Sequence, residues 1–114
     1  VTAAPRPQPD RGGWTRVELR QLVTLVAIAR AGSFRGAASA LGYAQSSVSQ
    51  RIGVLEATFG VRLVDRSATG GVVGLTAEGQ VLAMHAAVVI EEVRTAYAAI
   101  CGTAAREDEK PGES

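Results

Sequence analysis

The sequence predicts a mainly α-helical chain, a winged helix-turn-helix of three helices and a two-stranded β-wing, followed by a long dimerisation helix. Three observations predict it. Residues 33–59, SFRGAASALGYAQSSVSQRIGVLEATF, read as two short helices joined by a tight turn, the second with an apolar stripe and small polar residues at its start. Residues 61–75, VRLVDRSATGGVVGL, place β-branched residues on both sides of a Ser-Ala-Thr-Gly-Gly turn, a hairpin pattern. Beyond them, Leu82, Ala86, Val89, Val93, Ala96 and Ile100 recur at heptad spacing.

Residues 1–16 are rich in Pro, Gly and Arg without a period, and are expected to form a disordered arm, either a solvated tail or a basic segment that tracks DNA. The winged helix-turn-helix is expected over residues 17–76. Its first helix is predicted over Val17–Ala31, with Leu19, Leu22, Val23, Val26 and Ala29 on one face. Gly32 stops it, and Ser33 is a good N-cap for a second helix at about Phe34–Leu41 that turns Phe34, Ala37, Ala38 and Leu41 inward. The small Ala37 and Ala38 would let the third helix cross closely. Gly42 ends the second helix with positive φ. The third helix is expected from Gln45 to about Thr58, burying Val48, Ile52, Leu55 and Phe59 and exposing Ser46, Ser47, Ser49, Gln50 and Arg51. Gly60 closes it. After the hairpin, Thr76 caps a long helix with Glu78 in its first turn. That helix is expected over residues 77–101. Val81, Met84, Val88 and Tyr97 give it a second apolar strip, so one side can pack on the domain and the other on a second copy. Residues 102–114 read as a disordered acidic tail.

With 114 residues there is room for one small domain. Aromatics make up only 4% of the chain, which favours helices packed at close range through Ala, Val and Leu. The formal net charge of +1 carries no strong nucleic-acid signal, but the charges are unevenly placed. Arginines 6, 11, 16, 20, 30, 35, 51, 62 and 66 outnumber the acids Asp10, Glu18, Glu56 and Asp65 in the same stretch, while Glu107, Asp108, Glu109 and Glu113 crowd the end. Cys101 is the one cysteine, which excludes an intrachain disulfide and a cysteine-based zinc site within one chain. The first residues lack the apolar core of a signal peptide, and no run approaches the ~20 apolar residues of a membrane span. A reducing cytoplasm is the expected location. There is no nucleophile–base pair, phosphate-cradling glycine loop or pair of carboxylates, so the chain reads as a non-enzyme with no metal and no cofactor. Gly70-Gly71 is a turn signal only, and His85 lacks partners at ligand spacing.

Four pieces of the sequence, in their order and spacing, resemble the N-terminal domain of LysR-type transcriptional regulators: ELRQL at 18–22, GSFRGAASALG at 32–42, QSSVSQRIGVLEATFGVRLVDR at 45–66 and LTAEG at 75–79. With the long helix after them, the resemblance covers about three quarters of the chain. It implies a winged helix-turn-helix whose linker helix pairs with a second copy. There are departures. Ala44 stands where the family usually has a capping Ser or Thr, which typically costs ~1 kcal/mol. Val64 replaces the usual Phe. The wing is about two residues longer than common and offers Ser67, Thr69 and backbone amides in place of a basic residue. The sensing domain that follows the linker in the family is not in the chain, which is then either a fragment or a stand-alone DNA-binding module.

Resemblance and geometry together make the chain a sequence-specific double-stranded DNA binder that acts as a homodimer on an interrupted inverted repeat and regulates transcription. Gln45, Ser46, Ser49 and Gln50 are the base-edge candidates, since Gln can bond adenine bidentately and Ser can serve any base. Ser33, Arg35, Ser47, Arg51, Arg66 and Thr69 are the phosphate candidates, which set register rather than sequence. The ordinary alternative for the arginines is surface ion pairing, Arg66 with Asp65 or Arg62 with Glu56. The seam Leu82, Ala86, Val89, Val93, Ala96 and Ile100 is the expected dimer interface, and no effector site is expected in this chain. Two other readings remain open: a winged-helix domain like that of molybdate-responsive regulators, and an interaction module that pairs its linker helix with a full-length regulator.

Overall fold

The structure is a computed structural model that describes residues 12–67 and 71–109, the last seven of them as helix backbone. A 3-10 turn, Gly13–Arg16, leads into α1 (Leu19–Ala31), α2 (Phe34–Leu41), α3 (Gln45–Phe59), β1 (Val64–Asp65), β2 (Gly74–Leu75) and α4 (Ala77–Glu109). The two strands pair antiparallel, Val64 opposite Leu75 and Asp65 opposite Gly74.

The helix starts follow from local chemistry. Glu18 and Gln21 form a reciprocal capping box, with the Glu18 N–H donating to Gln21 Oε1 at 2.9 Å, and this sets the start of α1 at Leu19 rather than the expected Val17. Gly32, Gly42 and Gly60 end α1, α2 and α3 with φ of 74°, 73° and 71°, the left-handed turn that glycine adopts without a Cβ penalty. The α3 helix runs one residue past the expected Thr58, to Phe59.

Leu25, Ile28, Ala37, Ala38, Val48, Ile52, Leu55, Leu63 and Val64 form the buried core, drawn from α1, α2, α3, β1 and the residue before it. Of the expected α3 stripe, Val48, Ile52 and Leu55 are buried, while Phe59 at the helix end is half-buried and packs against the core from its edge. The α1 stripe differs more: Leu22 is buried, but Leu25 and Ile28 supply the rest of the core face, and Leu19 and Ala29 are exposed. The shift arises because α1 packs on two sides. Gln21 and Thr24 are buried polar residues on its core side, with the Thr24 hydroxyl donating to the Arg20 carbonyl at 2.7 Å, while Val23, Val26 and Ala27 line a groove against Ala87 and Ile90 of α4.

Two further expectations need correction. The arm does not run unstructured to residue 16, since Gly13–Arg16 is a 3-10 turn that packs against α3 with Gly13 buried; residues 1–11 lie outside the described residues. The expected two-stranded hairpin is present, with two residues per strand, and the Val73 amide donates to the Gly32 carbonyl at 2.9 Å instead of joining the ladder. The last helix does not end near Ile100. Gly102 is taken into it, α4 continues to Glu109, and the expected tail lies outside the described residues only from 110 onward. At 33 residues α4 is ~50 Å long.

The entry into α4 explains the LTAEG segment. Thr76 Oγ1 accepts from the Gly79 amide at 2.9 Å, capping the helix, and donates to the Arg62 carbonyl at 2.7 Å, tying the cap to the chain before β1. Gly79 is buried against the Leu63 carbonyl, whose oxygen a Cβ at this position would overlap. Only glycine lets α4 approach the backbone at Leu63, just before β1, this closely.

Candidate nucleic-acid interface

The third helix carries the site because one of its faces is buried and the other is not. Val48, Ile52 and Leu55 fix the inner face, leaving Gln45, Ser46, Ser49 and Gln50 exposed at the N-terminal end, with Ser47 half-buried. Gly53 continues the exposed face a turn later, with no atom near the position of a Cβ. Ala44 is the N-cap and offers no side-chain hydrogen bond, so the first amides of α3 are not covered by a cap.

Beside Gln45 lies a cleft of about 550 Å³, lined by Ser33, Phe34 and Arg35 of the α2 start, Arg66 after β1, and Gly71, Val72 and Val73 of the wing. It brings Ser33, Arg35, Gln45 and Arg66 together. Ser33 Oγ accepts from the Gly36 amide at 2.9 Å, so the hydroxyl proton is left to donate outward. The Arg66 guanidinium lies 5.0 Å from the Phe34 ring centroid. Its ion partner is Glu56, at 3.9 Å, and not Asp65. Asp65 turns instead to Ser67, whose amide donates to Oδ1 at 2.9 Å; the hydrogen bonds from the Ser67 side chain and backbone hold the Asp65 carboxyl below the usual aspartate range.

Glu56 has a larger role than the pairing with Arg62 that the sequence suggests. Its side chain is 11% exposed. One oxygen accepts from the Leu63 and Val64 amides at 2.8 and 3.2 Å, and lies 3.5 Å from Arg62 Nε. The other faces Arg66. A single carboxylate therefore holds the recognition helix, the first wing strand and a cleft arginine in one arrangement. A Glu followed seven and eight residues later by the start of a β-branched segment was the available sequence signal, but it does not reveal which amides are reached.

Arg51 stands apart from the cleft residues. Its guanidinium stacks 4.2 Å from the Tyr43 ring centroid, and Nη1 is buried without a hydrogen-bond partner among the described residues. Tyr43 and Phe34 thus act as platforms for two arginines, a role that the sequence reading did not assign. Thr69 lies outside the described residues.

On α4 the heptad stripe divides. Ala86 is 1% exposed and Leu82 packs against the core, so these two expected seam residues face the chain's own domain. Val89 and Val93 are each 42% exposed, Ile100 is 70% exposed, and Ala96 is exposed as well. The reason is reach: α4 extends past the end of the three-helix core, and its apolar stripe continues without a cover among the described residues. No helix among the described residues is long and apolar enough to cross a membrane, and no cluster of potential metal ligands occurs among them.

Residues 19–80 match the family model described as the bacterial regulatory helix-turn-helix protein of the lysR family. This chain belongs to the LysR family. A probable hydrogen peroxide-inducible genes activator from Mycobacterium avium is 43% identical over 82 residues, 72% of this chain and 26% of the relative. The chain thus spans about a quarter of that relative's length. Among solved structures, a complex of the BenM DNA-binding domain with catB site 1 DNA superposes with a TM-score of 0.72 at 31% identity, covering 77% of this chain and 96% of the other. Full-length LysG from Corynebacterium glutamicum with bound effector Arg gives 0.68 at 34% identity, covering 79% of this chain and 30% of that one. The winged helix-turn-helix is therefore a LysR DNA-binding domain, the DNA-binding part of a transcription regulator.

Proposed function

We propose that the domain binds an interrupted inverted repeat in double-stranded DNA as a homodimer, with α3 of each copy in a major groove and the uncovered stripe of α4 paired with its counterpart. The observation that carries this reading is the joint exposure of the polar start of α3 and the arginine-lined cleft beside it. Gln45, Ser46, Ser49 and Gln50 contact base edges. Ser33, Arg35 and Arg66 hold one phosphate run at the cleft, aided by the α2 amides. Ser47 and Arg51 meet the backbone on the other side of α3, with Tyr43 keeping the Arg51 guanidinium flat, and Thr69 belongs to the wing contact. The dimer interface is narrower than the full heptad: Val89, Val93, Ala96 and Ile100 make it, while Leu82 and Ala86 support it from the core. The protein acts in the cytoplasm, without catalysis, cofactor or metal at this domain.

Selection of bound duplexes from sheared genomic DNA, read by sequencing, tests this. Enrichment of a shared inverted repeat is the expected result. Binding without a shared motif would refute the base-contact assignment. Absence of binding at low salt would favour the other role for α4, pairing with a full-length regulator, because its uncovered stripe needs no DNA to serve that purpose.

A further inference from the structure

The buried stripe of α3 separates two flanks. Helical geometry puts Gln45 and Glu56 on one side of Val48, Ile52 and Leu55, toward the cleft and Arg66, and puts Ser47 and Arg51 on the other. Tyr43 belongs to the second flank. It stands in the turn between α2 and α3, where Gly42 has φ of 73° and the Tyr43 amide donates to the Ala38 carbonyl at 3.0 Å. Its ring lies against Arg51, with the guanidinium carbon 4.2 Å from the centroid, and is still 41% exposed. The Tyr43 hydroxyl has no hydrogen-bond partner among the described residues. The stack is costly for the free domain. A surface arginine ordinarily turns its guanidinium to water, which satisfies all of its N–H groups. Here Arg51 Nη1 is buried without an acceptor, and no ion pair to Arg51 occurs among the described residues. A buried unpaired donor destabilises, and a cation–π contact at a half-exposed ring compensates only weakly.

We infer that Tyr43 is a DNA contact: its hydroxyl donates to a phosphate oxygen on the groove wall opposite the cleft, and the stacked Arg51 holds the ring and supplies positive charge to the same phosphate. The arrangement that costs the free domain an unpaired donor thus fixes both groups before DNA arrives, so less order has to be imposed on binding. Reach agrees with this. A helix with its side chains is ~10–12 Å across and the major groove ~12 Å wide, so side chains on both flanks of α3 come within reach of a phosphate wall. Ser33, Arg35 and Arg66 serve the wall beside the cleft, and the Tyr43–Arg51 pair serves the other. A tyrosine hydroxyl suits the task, since it is an uncharged donor that fixes register without reading a base. The inference rests on the DNA-binding reading above.

The experiment titrates a fluorescein-labelled random-sequence duplex of about 30 base pairs with the full chain, following anisotropy from ~50 to ~200 mM salt. It compares the parent with Tyr43→Phe, Tyr43→Leu, Arg51→Met and the Tyr43→Leu/Arg51→Met double variant. Tyr43→Phe keeps the ring and its stack and removes only the hydroxyl. It should bind roughly tenfold more weakly, the usual effect of losing a hydrogen bond to a charged group. Its log K against log salt slope should stay at the parent value, because an uncharged donor releases no counterion, whereas Arg51→Met should make the slope shallower by about 1 per protomer. The losses from Tyr43→Leu and Arg51→Met should not add in the double variant, since both groups act on one phosphate. The urea midpoint of Tyr43→Phe should match the parent's, which separates a lost contact from a weakened fold. If Tyr43→Phe keeps the parent affinity, if its weaker binding comes with a lower midpoint, or if the two losses add, the inference is overturned and the DNA-binding reading stands. If the parent itself does not bind at ~50 mM salt, the DNA-binding reading falls, and this inference with it.

Discussion

At the scale of single residues, two glycines in helices have opposite physical meanings. Gly79 is buried where α4 meets the chain just before β1, and its missing Cβ is what leaves room for the Leu63 carbonyl. Because the obstacle is backbone, it cannot swing aside, so Gly79→Ala should destabilise by at least the ~1–3 kcal/mol usual for overpacking. Gly53 lies on the open face of α3 with no neighbouring atom. There the ordinary propensity difference applies, and Gly53→Ala should stabilise by ~1 kcal/mol. Urea denaturation of the two variants should move the midpoint in opposite directions; a tolerated Gly79→Ala would mean the α4 crossing is looser than described. Glu56 makes a comparable argument for a charged residue. Glu56→Ala leaves the Leu63 and Val64 amides without their carboxylate acceptor and releases Arg66, so a loss of ~1–3 kcal/mol is expected in the same assay. Surface ion pairing alone would yield well under 1 kcal/mol, so the size of the loss separates the amide clamp from a simple salt bridge.

At the scale of the element, α3 has one buried face of regular spacing and is the least well capped of the α-helices. Its N-cap, Ala44, already has the extended backbone of a capping residue, with φ −70° and ψ 148°, but no side chain to bond the free amides. Ala44→Ser should therefore stabilise by ~1 kcal/mol without moving the backbone, seen as a higher denaturation midpoint. The same helix shows what could be read in the sequence. Val48, Ile52 and Leu55 bury together because their spacing matches one helical face and nothing competes with it. The α1 stripe is less legible because two partners share the helix: Thr24 belongs to the core, yet it is polar and satisfied internally, so hydropathy alone favours Val23 and Val26, which face α4. The wing is legible as a hairpin, but the extent of its strands is not, since the bond from Val73 to Gly32 joins residues far apart in sequence. For the site, exposure at Gln45, Ser46, Ser49 and Gln50 was legible from the opposite stripe. The stacking of Arg51 on Tyr43 and the reach of Glu56 were not, because both depend on side-chain directions set by the packed turn and strand.

At the scale of the whole molecule, the long axis of 69 Å is set by α4, which projects beyond a core less than its own length across. A helix that carries Val89, Val93 and Ile100 into solvent is a poor monomer surface, and in the proposed dimer a second copy would cover it with the least new chemistry, since a two-fold axis places the same stripe opposite itself. Dimerisation and DNA affinity should then be coupled through charge. With Arg35, Arg51 and Arg66 on each copy, a dimer neutralises about six phosphates from this face, which predicts a log K against log salt slope of about −5. Val93→Asp puts a carboxylate into the paired stripe, far from the buried core, so the winged helix-turn-helix should stay folded while light scattering reports a monomer. The slope should then drop to about half the dimer value, because one copy meets only its own half-site. A Val93→Asp chain that remained dimeric would place the interface elsewhere, with the Val81, Met84 and Val88 strip as the next surface to test. A chain that became monomeric but kept the full slope would show that the arginines named here are not the phosphate contacts, and that the electrostatic part of binding comes from a surface that pairing does not bring together.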